Sequence, residues 1–248
     1  MIPQSTSSLL RQYADRYETA DFIVGDPSWW MHQVAGRENQ EATAFVASAL
    51  SYGSRQQFMP KIGSLLDMAC GDMHAWLVSG GFEHAFRHGD TRCFYRLYNN
   101  STMHAFFAAY RDLLLAHGTL GAYIRLSATD TLSAIDAVCQ WFNAHGSSGV
   151  IPKDTASACK RVCMFLRWMV RSNSPVDLGL WSDLIDRRTL IMPLDTHVLQ
   201  EATKLGLLSS RCANMNTARR LTATLAEVFP DDPLRGDFAL FGYGVNHT

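Results

Sequence analysis

Few of these 248 residues are charged: 18% are Asp, Glu, Lys or Arg, and 22 cations offset 23 anions to a net charge of −1. A near-neutral chain does not cling to nucleic acid by bulk charge, so a nucleic-acid partner requires a local basic surface. No apolar run approaches the roughly 20 residues that span a bilayer, and no membrane partner is expected. The opening Met1-Ile-Pro-Gln-Ser-Thr-Ser-Ser has neither a basic n-region nor an apolar h-region, so no secretory signal is expected. The six cysteines, at 70, 93, 139, 159, 163 and 212, form no C-x-x-C pair and match no zinc or cluster spacing. Cys159 and Cys163 could hold half a metal site on one helix turn, but no second half follows, and they read as buried small hydrophobes. No cofactor is expected, and a reduced, cytoplasmic compartment fits. Sustained period-two alternation, internal repeats and low-complexity segments are all missing, which leaves helices as the organising element.

What is present is apolar and helical. The chain is 47% hydrophobic, with 13 Phe, 8 Tyr and 6 Trp, enough for one globular domain or two intimately packed subdomains. Helical spacing runs through residues 4–18, 38–52, 56–69, 102–116, 131–144, 155–171, 196–205, 215–228 and 232–241, with Pro60 as a kink or start. The fold class is all-α. Loops are expected at Gly80-Gly81, Asn99-Asn100-Ser101, Gly146-Ser147-Ser148-Gly149 and Ser172-Asn173-Ser174-Pro175. Charge is uneven: residues 151–220 hold 11 Lys/Arg against 6 Asp/Glu. That is the balance a phosphate-binding surface needs.

Within that basic stretch, Ser157-Ala-Cys-Lys160-Arg-Val-Cys-Met-Phe-Leu-Arg167-Trp-Met-Val-Arg171 reads as one amphipathic helix. Lys160, Arg167 and Arg171 fall within about 20° of one line on a helix. Val162, Phe165, Leu166 and Met169 cover the buried side. Such a row suits phosphates, or a lysine that acts as a nucleophile; it also suits a plain solvated stripe. Next comes Ile191-Met-Pro-Leu-Asp195-Thr-His197-Val, where Asp195 precedes the periodic run Val198, Leu199, Ala202, Leu205 and stands at an N-cap. A cap carboxylate is fixed in direction, as a catalytic carboxylate must be. His197 either contacts a ligand or packs.

Together these pieces resemble the helix-hairpin-helix DNA glycosylase superfamily, through Leu194-Asp195-Thr196-His197-Val198 and, as in its small 8-oxoguanine glycosylases, Phe165-Leu166-Arg167 after Lys160. The Ser-Ala-Cys-Lys-Arg and Pro-Leu-Asp-Thr-His runs also resemble a bacterial family of uncharacterised proteins over nearly the whole chain. The superfamily resemblance implies two closely packed helical subdomains with a site cleft between them. Helices of about 38–171 would form one subdomain; the N-terminal helix with about 190–248 would form the other. It also implies a bifunctional DNA glycosylase and abasic-site lyase for an oxidised purine such as 8-oxoguanine, acting on damaged double-stranded DNA as a monomer. Lys160 would attack the anomeric carbon of a flipped nucleotide and form a Schiff base, while Asp195 stabilises the cationic sugar.

Further roles are implied by the same resemblance. Asp237-Phe-Ala-Leu-Phe241 resembles a base-recognition helix, where Phe241 stacks on the base and Asp237 stands at a glutamine position to meet a polar edge; for Phe241, core packing is the alternative. Arg167, Arg171 and His197 would contact DNA. In Leu50-Ser-Tyr-Gly-Ser-Arg55, Tyr52 and Arg55 are suitable wedge and phosphate-contact types, and a helix end is the alternative. Two features depart from the superfamily. Ile151-Pro-Lys-Asp-Thr-Ala-Ser157 lacks the hairpin glycines whose amides hold a phosphate. Lys160 and Asp195 are also 35 residues apart, longer than in most relatives, with the excess in a Pro175-to-Arg188 insert that carries Trp181. No terminal cysteine set suggests an iron–sulfur cluster. The competing readings are a non-catalytic nucleic-acid-binding protein that keeps this fold, and a helical enzyme or scaffold for another ligand.

Overall fold

A computed structural model of the protein describes residues 2–146, 149–210 and 212–247, so Ser147 and Ser148 of the expected loop lie outside the described residues. The fold is all-α, with one two-stranded hairpin among the described residues. Among the described residues no helix is long and apolar enough to cross a membrane. The chain divides into a central unit, residues 25–129 and 133–154, and a terminal unit, residues 1–24, 130–132 and 155–248.

The terminal unit contains α1 (Gln4–Tyr17), α8 (Lys160–Val170), α9 (Thr196–Lys204), α10 (Met215–Ala226) and α11 (Arg235–Asn246). The central unit contains α2 (Arg37–Leu50), α3 (Arg55–Met68), α4 (Met73–Val78), a hairpin of β1 (Cys93–Tyr95) and β2 (Tyr98–Asn99), α5 (Asn100–His117), α6 (Leu120–Ser127) and all but the first two residues of α7 (Thr131–Ala144). Residues 155–171 therefore group with the chain ends, whereas the sequence places them with the central helices. The reason is ionic: the α8 arginines find their carboxylates in the terminal unit, as described below.

Two short helices escape the periodicity argument because six and eight residues are too few for it. Buried polar side chains hold their ends. The Asn39 amide oxygen accepts the Met73 N–H at 2.9 Å, and its nitrogen donates to the Gly71 carbonyl at 2.8 Å. The buried Glu41 carboxylate accepts the Leu120 N–H at 2.7 Å, satisfying an amide at the start of α6. Around them Phe45, Phe106, Phe107, Tyr110 and Phe142 form the aromatic core of the central unit, and Phe45 and Phe142 have ring centroids 5.2 Å apart.

In the terminal unit α1 lies along α11. Gly242 permits this approach, because a Cβ there would collide with the Tyr17 ring. Pro60 sits inside α3 without ending it. The segment read as helix from residue 155 becomes helical only at Lys160, because Cys159 takes a left-handed φ of 46°.

Candidate functional site

Lys160 is the first residue of α8, and Asp195 is the N-cap of α9. The capping role is direct: Asp195 Oδ1 accepts the N–H of His197 at 3.0 Å and of Val198 at 2.9 Å. That uses one carboxylate oxygen and fixes the plane of the group. The other oxygen, Oδ2, lies 3.6 Å from Lys160 Nζ. The side chains are 34% and 40% exposed, so the pair is open to a ligand while tethered to two helix starts. The 35-residue separation is thus no obstacle to their meeting.

The insert explains how. It does not loop away but folds onto the C-terminal end of α8. The Leu178 N–H donates to the Trp168 carbonyl at 2.8 Å and the Trp181 N–H to the Met169 carbonyl at 2.6 Å. These bonds satisfy carbonyls that a helix end leaves open. Trp181 is buried, edge-on to Phe165 at 5.2 Å.

A second acidic group borders the pair. Asp237, on α11, is bonded to Arg167 and senses the charges of Lys160 and Asp195. Burial pushes its carboxyl above the ordinary value of 3.8, the Asp195 charge adds to that push, and Arg167 and Lys160 pull against it. The site therefore combines an amine, a cap carboxylate and a partly buried carboxylate whose pKa burial pushes upward.

The expected row of three cations needs correction. Arg167 and Arg171 are 3% and 1% exposed, so neither offers its charge to a phosphate. Arg167 Nε donates to Asp177 Oδ1 at 3.2 Å, and its Nη1 bonds Asp237. Arg171 bonds Asp177, Glu18 at 2.5 Å and Asp232 at 2.8 Å. Burial by itself lowers the pKa of such a guanidinium, but these three carboxylates drive it upward. Both guanidiniums also lie over the Phe238 ring, at 4.7 and 5.3 Å. The helical stripe is real in angle, but carboxylates, not solvent, face two of its members.

Residues 26–246 match the model of a family described as a protein of unknown function, DUF2400. The chain belongs to this family. The matched span contains Lys160, Asp195, Asp237 and Asp177, and stops short of Glu18. No curated protein and no solved structure matches the chain.

Other sequence candidates fall in different places. His197 is exposed, two residues beyond Asp195. Phe241 is half-buried, edge-on to Phe22 at 4.9 Å and to Tyr17 at 5.7 Å, which is the packing alternative in concrete form. Tyr52 and Arg55 belong to the central unit. Both lie at the connection between α2 and α3, where the Tyr52 carbonyl accepts the Tyr95 hydroxyl and Arg55 pairs with Asp26 at 3.5 Å. A groove of about 300 Å³ in the terminal unit is lined by Arg188, Leu190 and Arg219, and does not include Lys160 or Asp195.

Asp177 is the residue that sequence reasoning misses. Its side chain is fully buried and bridges Arg167 and Arg171. A signal did exist: two arginines on an otherwise apolar helix need counter-charges if that helix is buried, and Asp177 is the first carboxylate after them.

Proposed function

We propose that this protein is a bifunctional DNA glycosylase and abasic-site lyase that excises an oxidised purine such as 8-oxoguanine from duplex DNA. The observation that carries the reading is the 3.6 Å approach of Lys160 Nζ to Asp195 Oδ2 across 35 residues of sequence. In this reading the Asp195 carboxylate faces the deoxyribose as positive charge develops there, and the Lys160 amine attacks the anomeric carbon as the base leaves with the bonding electrons. The C1′–O4′ bond then breaks as the lysine nitrogen's lone pair forms the C=N bond of a Schiff base, with O4′ staying on C4′ and taking up the proton shed by that nitrogen; removal of a C2′ proton and expulsion of the 3′-phosphate by β-elimination nick the strand. This chemistry uses the chain's own groups and needs no cofactor. Asp237 and Phe241 lie on the helix that the resemblance assigns to base recognition, and the exposed His197 would contact DNA. We further propose that the protein acts as a cytoplasmic monomer.

A second reading has its own support. The hairpin glycines of the superfamily are missing before α8. A protein that keeps the fold and binds nucleic acid without cutting it fits that departure.

Borohydride trapping separates the two. The protein is mixed with duplexes carrying oxidised guanine or an abasic site, and reduction should leave a covalent adduct that Lys160→Ala abolishes. Salt-sensitive binding with no adduct on any damaged duplex would favour the second reading. An adduct that survives Lys160→Ala would show that another amine is the nucleophile.

A further inference from the structure

We propose that the β1–β2 hairpin is a DNA-docking element that inserts Leu97 into the base stack beside a damaged or missing base. This rests on the DNA partner proposed above but not on the lysine chemistry.

Tyr95 and Tyr98 are paired across the hairpin, so Arg96 and Leu97 alone form its tip. Arg96 has a left-handed φ of 50°, and the first position of such two-residue turns ordinarily favours glycine. Strained backbone of this kind is retained where the side chain has a use. Leu97 is 78% exposed. A lone exposed leucine is ordinary; one at the tip of a braced hairpin, next to Arg96, is more specific.

The bracing is visible on every side. Tyr95 and Tyr98 are buried, and the Tyr95 hydroxyl bonds the Tyr52 carbonyl. Asn99 caps α5 by accepting the Thr102 N–H at 2.8 Å, so the second strand runs straight into an 18-residue helix. The tip therefore cannot simply fold back when it meets a partner.

The surroundings select the partner. The Arg96 guanidinium lies over the Tyr52 ring at 4.9 Å, and Lys61 Nζ over the Phe94 ring at 5.0 Å. Among the described residues, both face aromatic rings rather than carboxylates. Arg92 is paired with Asp90 yet remains 80% exposed. A cation stacked on an aromatic ring beside one apolar tip, with Lys61 farther along the first strand and Arg92 at the hairpin base, suits phosphates and stacked bases; a protein partner would call for a contiguous apolar patch. Tyr52, the wedge that the resemblance suggests, is capped by Arg96, so Leu97 leads.

The test uses the full chain and two short duplexes, one intact and one with a tetrahydrofuran abasic analogue beside 2-aminopurine. The wild type should bind the abasic duplex and raise the 2-aminopurine fluorescence. Leu97→Ala should keep its melting temperature and its affinity for the intact duplex, but lose about tenfold in affinity for the abasic one, together with the fluorescence rise. Arg96→Ala should weaken both complexes and lower the salt slope by about 1. Wild-type affinity and fluorescence in Leu97→Ala would overturn the proposal, as would a wild type that binds neither duplex at low salt. Tighter binding to single strands than to the abasic duplex, unchanged by Leu97→Ala, would also overturn it. Binding that depends on Leu97 without any borohydride adduct would leave the hairpin standing and remove the lyase. An adduct with no Leu97 effect would do the reverse.

Discussion

Replacing Asp177 by alanine should be among the most damaging single changes in the terminal unit. The carboxylate is fully buried and serves two arginines whose side chains are themselves 4% and 2% exposed. Breaking a buried ion pair typically costs about 3–5 kcal/mol, because the partner charge stays in place without compensation. Here the stranded cations are not wholly orphaned. Arg171 keeps Glu18 and Asp232, and Arg167 keeps Asp237. The lower end of the range, about 3 kcal/mol, is therefore expected. That is a large part of a total stability of about 5–15 kcal/mol. For a chain of this size it corresponds to a fall of roughly 6–12 °C in melting temperature. Calorimetry measures the shift, and urea unfolding followed by tryptophan fluorescence reports on Trp168 and Trp181 in the same unit. Asp177→Asn, which keeps an acceptor oxygen and loses the charge, should fall in between. A loss below about 1 kcal/mol for Asp177→Ala would refute the argument that this carboxylate neutralises the buried arginines.

Three other outcomes follow from the same geometry. Asp195→Ala should cost about 1 kcal/mol through loss of the α9 cap, whereas Asp195→Asn should keep the cap; if the carboxylate is chemical, both lose the borohydride adduct, and an active Asp195→Asn would count against it. For Glu18, burial raises the carboxyl, but the Arg171 charge and the bonds from Arg171 and Arg235 prevail and hold it below the ordinary 4.5. Its stabilising contribution is then present above the unfolded value and lost as pH falls through the lower folded value. The stability gap between wild type and Glu18→Gln should hold from neutral pH to the unfolded value and close below it; urea titrations showing a gap independent of pH would contradict this. Finally, maleimide should label Cys70, Cys93 and Cys212 in the native protein and spare Cys139, Cys159 and Cys163 until it unfolds. Burial pushes the Cys163 thiol strongly upward, and rapid native labelling there would argue against the packing of α8.

Helix periodicity, the Asp195 cap and the fold class are local matters, and the sequence determines them by itself. Each depends on residues within a few positions of one another, so spacing and propensity suffice. Angle along α8 was equally legible: Lys160, Arg167 and Arg171 do share one line. What faces that line was not, because a helical wheel carries no information about distant carboxylates. Only the folded chain brings Glu18, Asp177, Asp232 and Asp237 to the two arginines and leaves Lys160 partly open. Only there does the Pro175-to-Arg188 insert fold onto the end of α8. The same holds for Cys159, whose left-handed backbone delays the helix until Lys160. Sequence alone thus supplied a lysine and a capped aspartate; the tertiary structure decided that they meet, because long-range charge pairing and packing, not local propensity, set which side of α8 is buried.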